Sequence, residues 1–122
     1  MNKENTLFQQ GVDAFNNKQY YDAHEYWEDL WSEYYLEDAN FVKGLIQLSV
    51  GYFHITNLNI NGAIGLLNKS IKKLEPYSPI CRGIDIVYLI EHVSLSLQNL
   101  SNINNISDFN WAFSPTIKYI DE

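Results

Sequence analysis

Apolar residues recur every three or four positions along most of the chain, and the breaks in that rhythm divide it into helices. Leu7, Phe8, Gly11, Val12 and Phe15 predict a first helix over residues 5–16, which Asn16-Asn17-Lys18-Gln19 interrupts. A second helix is expected over about residues 20–35. A third follows over about 40–58, and Phe41, Leu45, Ile46, Leu48, Val50, Phe53 and Ile55 make it apolar on most sides, the mark of a central helix. Asn57-Leu58-Asn59 and Asn61-Gly62 form the next turn. Ala63, Ile64, Leu66, Leu67, Ile71 and Leu74 then give a fourth helix that Pro76 ends. Residues 77–83 read as a loop, and Ile86, Ile90, Val93, Leu97 and Leu100 as a fifth helix with Asp85 at its N-cap. The expectation is one domain over residues 1–122: a core of about 6–100, a linker at 101–110 rich in Asn and Ser, and a tail at 111–122 that docks through Trp111, Phe113 and Tyr119.

The first four helices repeat. Gly11 and Ala23 are twelve residues apart, as are Gly51 and Ala63, and the two pairs are offset by 40 residues. Each pair straddles an Asn-containing turn. Trp27 and Leu67 follow four residues after the alanines. Small residues at this interval let paired helices approach closely, and the arrangement resembles the tetratricopeptide hairpin. Two units are fewer than a solenoid needs, so the pattern predicts a compact all-α bundle of about five helices built from such hairpins.

Composition narrows the function classes. A chain of 122 residues that is 46% hydrophobic buries a core without staples. Cys81 is its one cysteine, so a disulfide within the chain and a thiolate metal cluster are both excluded. No apolar run reaches the length of a membrane span, and the chain reads as a soluble cytoplasmic protein. The formal charge is −7, yet residues 22–38 alone hold seven acids and no Lys or Arg, and the remainder balances. Such a stretch repels phosphates, which argues against nucleic acid at the second helix. It would attract a cation, a basic protein partner or, with exposed tyrosines nearby, another copy of the chain.

On a helical wheel of the second helix, Ala23, Trp27, Leu30, Trp31 and Tyr34 share one arc. His24 lies at its edge, with Glu28 one turn further on. Asp22, Glu25, Asp29 and Glu33 point away, to water. On the third helix Lys43, Gln47 and His54 share a narrow strip beside Gly44 and Gly51. If the two helices pack along these strips, His24, Glu28, Lys43, Gln47 and His54 converge in one polar pocket. Buried polar groups left unsatisfied cost roughly 1–3 kcal/mol each, so they must be paired or ligated.

Three arrangements satisfy them. His24, Glu28 and His54 can ligate zinc, manganese or iron, with Gln47 or a water completing the shell, for metal-dependent hydrolysis. Without metal, Glu28 can orient His24 as a general base, Glu25 being a further catalytic candidate. Alternatively the set is a closed structural network on a non-enzymatic interaction module, whose acidic face docks a basic partner. Lys43 is expected to pair with Glu28, and His92 to lie at the border of the fifth helix's apolar stripe.

The strings AHEYWEDLW at 23–31, KGLIQLSVGYFH at 43–54 and NINGAIGLL at 59–67 resemble, in order and spacing, the domain of unknown function 309 family, with the likeness running over about residues 6–97. His24, Glu25, Glu28, Trp31, Gly44, Gln47, His54, Asn59 and Gly62 fall on the family's motif positions, and GID at 83–85, which includes Asp85, resembles its downstream Gly-x-Asp. The resemblance implies an all-helical fold and a metal-dependent hydrolase activity without a stated substrate. Phe53 stands where the family pattern carries a tyrosine.

Overall fold

In a computed structural model, which describes residues 2–120, five helices follow in chain order: α1 (Lys3–Asn16), α2 (Tyr20–Glu33), α3 (Ala39–Thr56), α4 (Ile60–Leu74) and α5 (Ile86–Asn102). Residues 121–122, the end of the expected tail, lie outside the described residues. α1 pairs with α2 and α3 with α4, while α3 also packs against α2 and so occupies the middle of the bundle. Its apolar character follows from that position. Phe41, Leu45, Leu48 and Tyr52 are all fully buried.

The repeat seen in the sequence is a repeat of geometry. Both hairpins turn through a residue in the left-handed region, Lys18 at φ 61° and Leu58 at φ 60°. In both, the next backbone N–H reaches the carbonyl five residues back: Gln19 to Ala14 at 2.9 Å and Asn59 to His54 at 2.8 Å. These bonds close the Schellman pattern that satisfies the end of a helix. Across the first hairpin a Cβ added to Gly11 would stand 2.1 Å from the Trp27 indole; across the second, one added to Gly51 would stand 2.8 Å from Leu67. Each glycine is the seat for its partner's large side chain. Trp27 is fully buried there, and its Nε1–H donates to the Phe8 carbonyl at 3.2 Å.

Two expectations are corrected. Residues 77–83 are not simply a loop, because Ile80–Cys81 (β1) and Ile84–Asp85 (β2) form a small antiparallel hairpin. Its two-residue turn, Arg82-Gly83, has both residues at positive φ, 51° and 76°. Such a turn matches the twist of a tight hairpin, but an Arg in its first position hides the signal. The linker also starts later than expected: α5 runs through Asn102, and Phe109 is buried. The tail crosses back over the bundle, with Asn16 and Ile117 exchanging hydrogen bonds of 3.1 and 2.7 Å, and the Asp85 N–H donating to the Lys118 carbonyl at 2.8 Å. Trp111 stacks on Tyr20 at 6.1 Å.

The Arg82 turn is tied to the loop between α2 and α3. Arg82 donates to Asp38 twice, Nε to Oδ2 at 2.6 Å and Nη2 to Oδ1 at 2.9 Å. This is the one ion pair among the described residues. The guanidinium holds the Asp38 carboxyl below its ordinary range. The Cys81 thiol beside it is pushed up to about 11, first by burial and then by the Asp38 charge, so it is an unreactive thiol at neutral pH.

Two stability outcomes follow. Gly11→Ala and Gly51→Ala each destabilise the fold by roughly 1–3 kcal/mol through overpacking, whereas Gly65→Ala, whose added Cβ meets nothing within 4 Å, stabilises it by about 0.5–1 kcal/mol in urea titration. Asp38→Asn costs roughly 1–3 kcal/mol at pH 6. Because the Asp38 carboxyl is lowered in the fold, its contribution is present above its unfolded value near pH 4 and is lost as pH falls through the folded one. The gap between wild type and Asp38→Asn therefore closes in acid.

Candidate functional site

α2 and α3 run antiparallel along their shared seam, so the start of one meets the end of the other. Tyr21 lies 5.3 Å from Phe53, ring centre to ring centre, at one end, and the Lys43 ammonium lies 5.0 Å from the Trp31 ring at the other. At the Tyr21 end, Tyr20, Tyr21, His24, Val50, Phe53 and His54 line a cleft of about 150 Å3. The structure thus brings His24 and His54 together. Glu28, one turn along α2, is partly buried but does not line this cleft, and Glu25 is exposed to solvent.

Each histidine is held by a different kind of partner. His24 Nδ1 lies 3.1 Å from the Tyr21 carbonyl, which only accepts, so Nδ1 carries a proton and, in the neutral ring, Nε2 keeps its lone pair. That carbonyl, and not Glu28 as expected, orients the ring. At His54 the order is reversed. Asn59, the N-cap of α4, accepts from the Gly62 N–H through Oδ1 at 3.0 Å, which leaves its amide nitrogen to donate to His54 Nδ1 at 3.4 Å. His54 therefore carries its proton on Nε2. Gly62 makes room for this: a Cβ there would stand 2.7 Å from the Asn59 amide nitrogen and 2.9 Å from His54 Cδ2. One cleft thus holds an accepting and a donating imidazole. Burial pushes the Tyr20 phenol beside them up to about 12, the Ser114 side chain partly offsetting it, so its hydroxyl stays protonated.

The other expected members lie elsewhere. Lys43 does not pair with Glu28; its ammonium sits over Trp31, which is 41% exposed. Gln47 lines a separate hollow of about 450 Å3 with Lys69, Lys72 and Lys73 of α4, and its Oε1 is buried with no hydrogen-bond partner. Asp85 accepts from the Tyr88 N–H at 2.9 Å as the N-cap of α5 and takes no part in the cleft. His92 is partly buried and donates from Nδ1 to the Tyr88 carbonyl at 3.0 Å. The polar strip of α3 therefore opens into two separate hollows rather than one shared pocket.

A resident metal ion needs three or more protein donors with free lone pairs. The described residues hold no such group of His, Cys, Asp and Glu side chains. Glu28 does not line the cleft that the histidines share, Gln47 lines another hollow, and the Nδ1 lone pair of His54 is engaged by Asn59. The donor set does not fit the expected ion. Sequence reasoning missed the cleft's aromatic walls, Tyr20, Tyr21 and Phe53, because their helical spacing is that of core residues. Lys72 and Lys73 stand in the last turn of α4, where the helix dipole favours cations, and their place in the sequence carries no other signal.

Two tetratricopeptide-like hairpins with an aromatic, two-histidine cleft at their seam define an all-α domain. Residues 8–66, from α1 into α4, match the family described as a domain of unknown function, DUF309. The match ends short of the expected residue 97, so Gly83 to Asp85 fall outside it. No curated protein matches the chain. No helix among the described residues is long and apolar enough to cross a membrane.

The two opposed tautomers are directly observable. Long-range nitrogen–proton NMR spectra taken where both rings are neutral are expected to show His24 as the Nδ1–H form and His54 as the Nε2–H form. Asn59→Ala is expected to remove the preference at His54 and leave that at His24 unchanged.

Proposed function

We propose that this chain is a non-enzymatic recognition module that docks a basic segment of a partner protein on α2, with the His24–His54 cleft taking one side chain of that segment. The observation that carries the reading is the outer face of α2. Asp22, Glu25, Asp29 and Glu33 are all exposed, and none is ion-paired with a described residue. Uncompensated charge of one sign steers an oppositely charged partner and sets its register. The adjoining cleft suits a Lys or Arg side chain. Its volume of about 150 Å3 fits one side chain and is too small for an ordinary metabolite pocket. The Tyr21 and Phe53 rings offer faces to a cation, and His24 Nε2 offers an acceptor to its N–H groups.

This reading is preferred to metal-dependent hydrolysis because that chemistry requires donors that the seam does not bring together.

The test is calorimetric titration with a lysine-rich peptide beside a glutamate-rich one of equal length. The lysine-rich peptide is expected to bind, with affinity falling as salt rises. Glu25→Lys with Asp29→Lys should weaken binding at least tenfold, and His24→Ala should weaken it without unfolding the protein. Binding unaffected by the charge reversals would overturn the reading. So would near-stoichiometric zinc, manganese or iron, retained after metal loading and lost in both His24→Ala and His54→Ala.

A further inference from the structure

Charge in the central part of this chain is sorted by sign. Residues 22–38 hold seven carboxylates and no Lys or Arg, and residues 39–74, which cover α3 and α4, hold four lysines and no Asp or Glu. Such blocks on neighbouring helices could neutralise each other within the molecule, and they do not. Asp38 pairs with Arg82 of the β-hairpin, and the other six carboxylates and all four lysines are in no ion pair with a described residue. For the three lysines of α4 the reason is the packing: α3 lies between α2 and α4, so its apolar bulk holds them apart from the acidic block.

The lysines are also shaped into a receptor. Lys69, Lys72 and Lys73 line the hollow of about 450 Å3 with Gln47, whose buried Oε1 lacks a partner. Lys43, one turn before Gln47, sits over the exposed Trp31 at the boundary with the acidic block. Lysines three and four residues apart on one helix repel each other, a cost that carboxylates entering the hollow would remove.

We infer that this chain pairs with a second copy of itself in a two-fold dimer, the acidic face of α2 in each copy lying against the Lys69/Lys72/Lys73 wall of the other. The inference rests on the reading of α2 as a docking face and names the basic surface it docks. Charge complementarity selects the occupant, since the surface that matches each block is carried by the same chain. A two-fold arrangement satisfies both blocks of both copies and closes at two, with Trp31 of each copy at the edge of the contact.

Sedimentation and light scattering at about 20 mM and about 500 mM salt test this, because the Debye length falls several-fold across that range. Wild type is expected to be a dimer at low salt and to dissociate at high salt, its dissociation constant rising at least tenfold. K69E/K72E/K73E and E25K/D29K/E33K, each checked for helical content by circular dichroism, are expected to be monomers alone. Mixed one to one, they are expected to form a heterodimer, because each then presents the charges the other lost. A folding defect would not be repaired by mixing. A monomeric wild type at low salt, a dimer indifferent to either triple variant, or two variants that stay apart when mixed would overturn the inference. A monomer that still binds the lysine-rich peptide would overturn this dimer and leave the docking role of α2 standing.

Discussion

The seating of Trp27 on Gly11 is the contact on which the rest of the bundle depends. The Trp27 indole fills the space that a Cβ at position 11 would take, so any side chain there would displace it. Phe8 and Phe15 flank the indole at 6.4 and 6.1 Å, and Phe15 passes the contact on to Tyr20 and Tyr52. The Tyr52 hydroxyl then meets Ser96 Oγ at 2.8 Å, joining this aromatic centre to α5. The second hairpin repeats the device with less bulk, Leu67 on Gly51, while a Cβ at Gly44 would stand 2.9 Å from Lys73 Cβ. α3 therefore gives one side to close packing against α4. It leaves the side facing α2 freer to carry polar groups.

The cleft is a by-product of joining two similar hairpins. A hairpin turn of this kind places the residue after its left-handed position next to the residue five before it. In the first hairpin those residues are Gln19 and Ala14, and nothing chemical results. In the second they are Asn59 and His54, so the bond that ends α3 also sets an amide against an imidazole. The same asparagine starts α4 by capping Gly62. One residue thus ends a helix, begins the next and fixes a tautomer, and the short Asn-x-x-Gly string follows from those three demands.

Most of the helical frame was legible because it rests on periodicity and on glycine placement, both local. The twelve-residue Gly-to-Ala interval, repeated 40 residues on, marks the close approach of paired helices, and Trp27 and Leu67 sit on its two glycines. The wheel also put His24 and His54 on facing strips, and they do share a cleft. What it could not give was their position along the seam. Antiparallel packing spreads a strip out in depth, so Gln47 and Lys43 fall about two and three turns from His54 although they share its angle. The Arg82–Asp38 pair was illegible for another reason: it joins residues 44 apart through a turn whose type depends on two backbone angles.

The separation of charge has the same origin as the cleft. A helix buried on most of its surface, as α3 is, cannot accommodate carboxylates, and lysines reach its margins because their stems lie along apolar surface while their heads stay in water. α2, which keeps one face on solvent, can carry the acids. Neutralising the two blocks within one molecule would require charged side chains to cross the α2–α3 seam, and burying ions there costs more than their attraction returns. The fold therefore keeps both signs at its surface, where screening leaves them weak at each contact but additive over a face. A surface built in this way is cheap to maintain in the free protein and gains its energy only when an opposite face arrives.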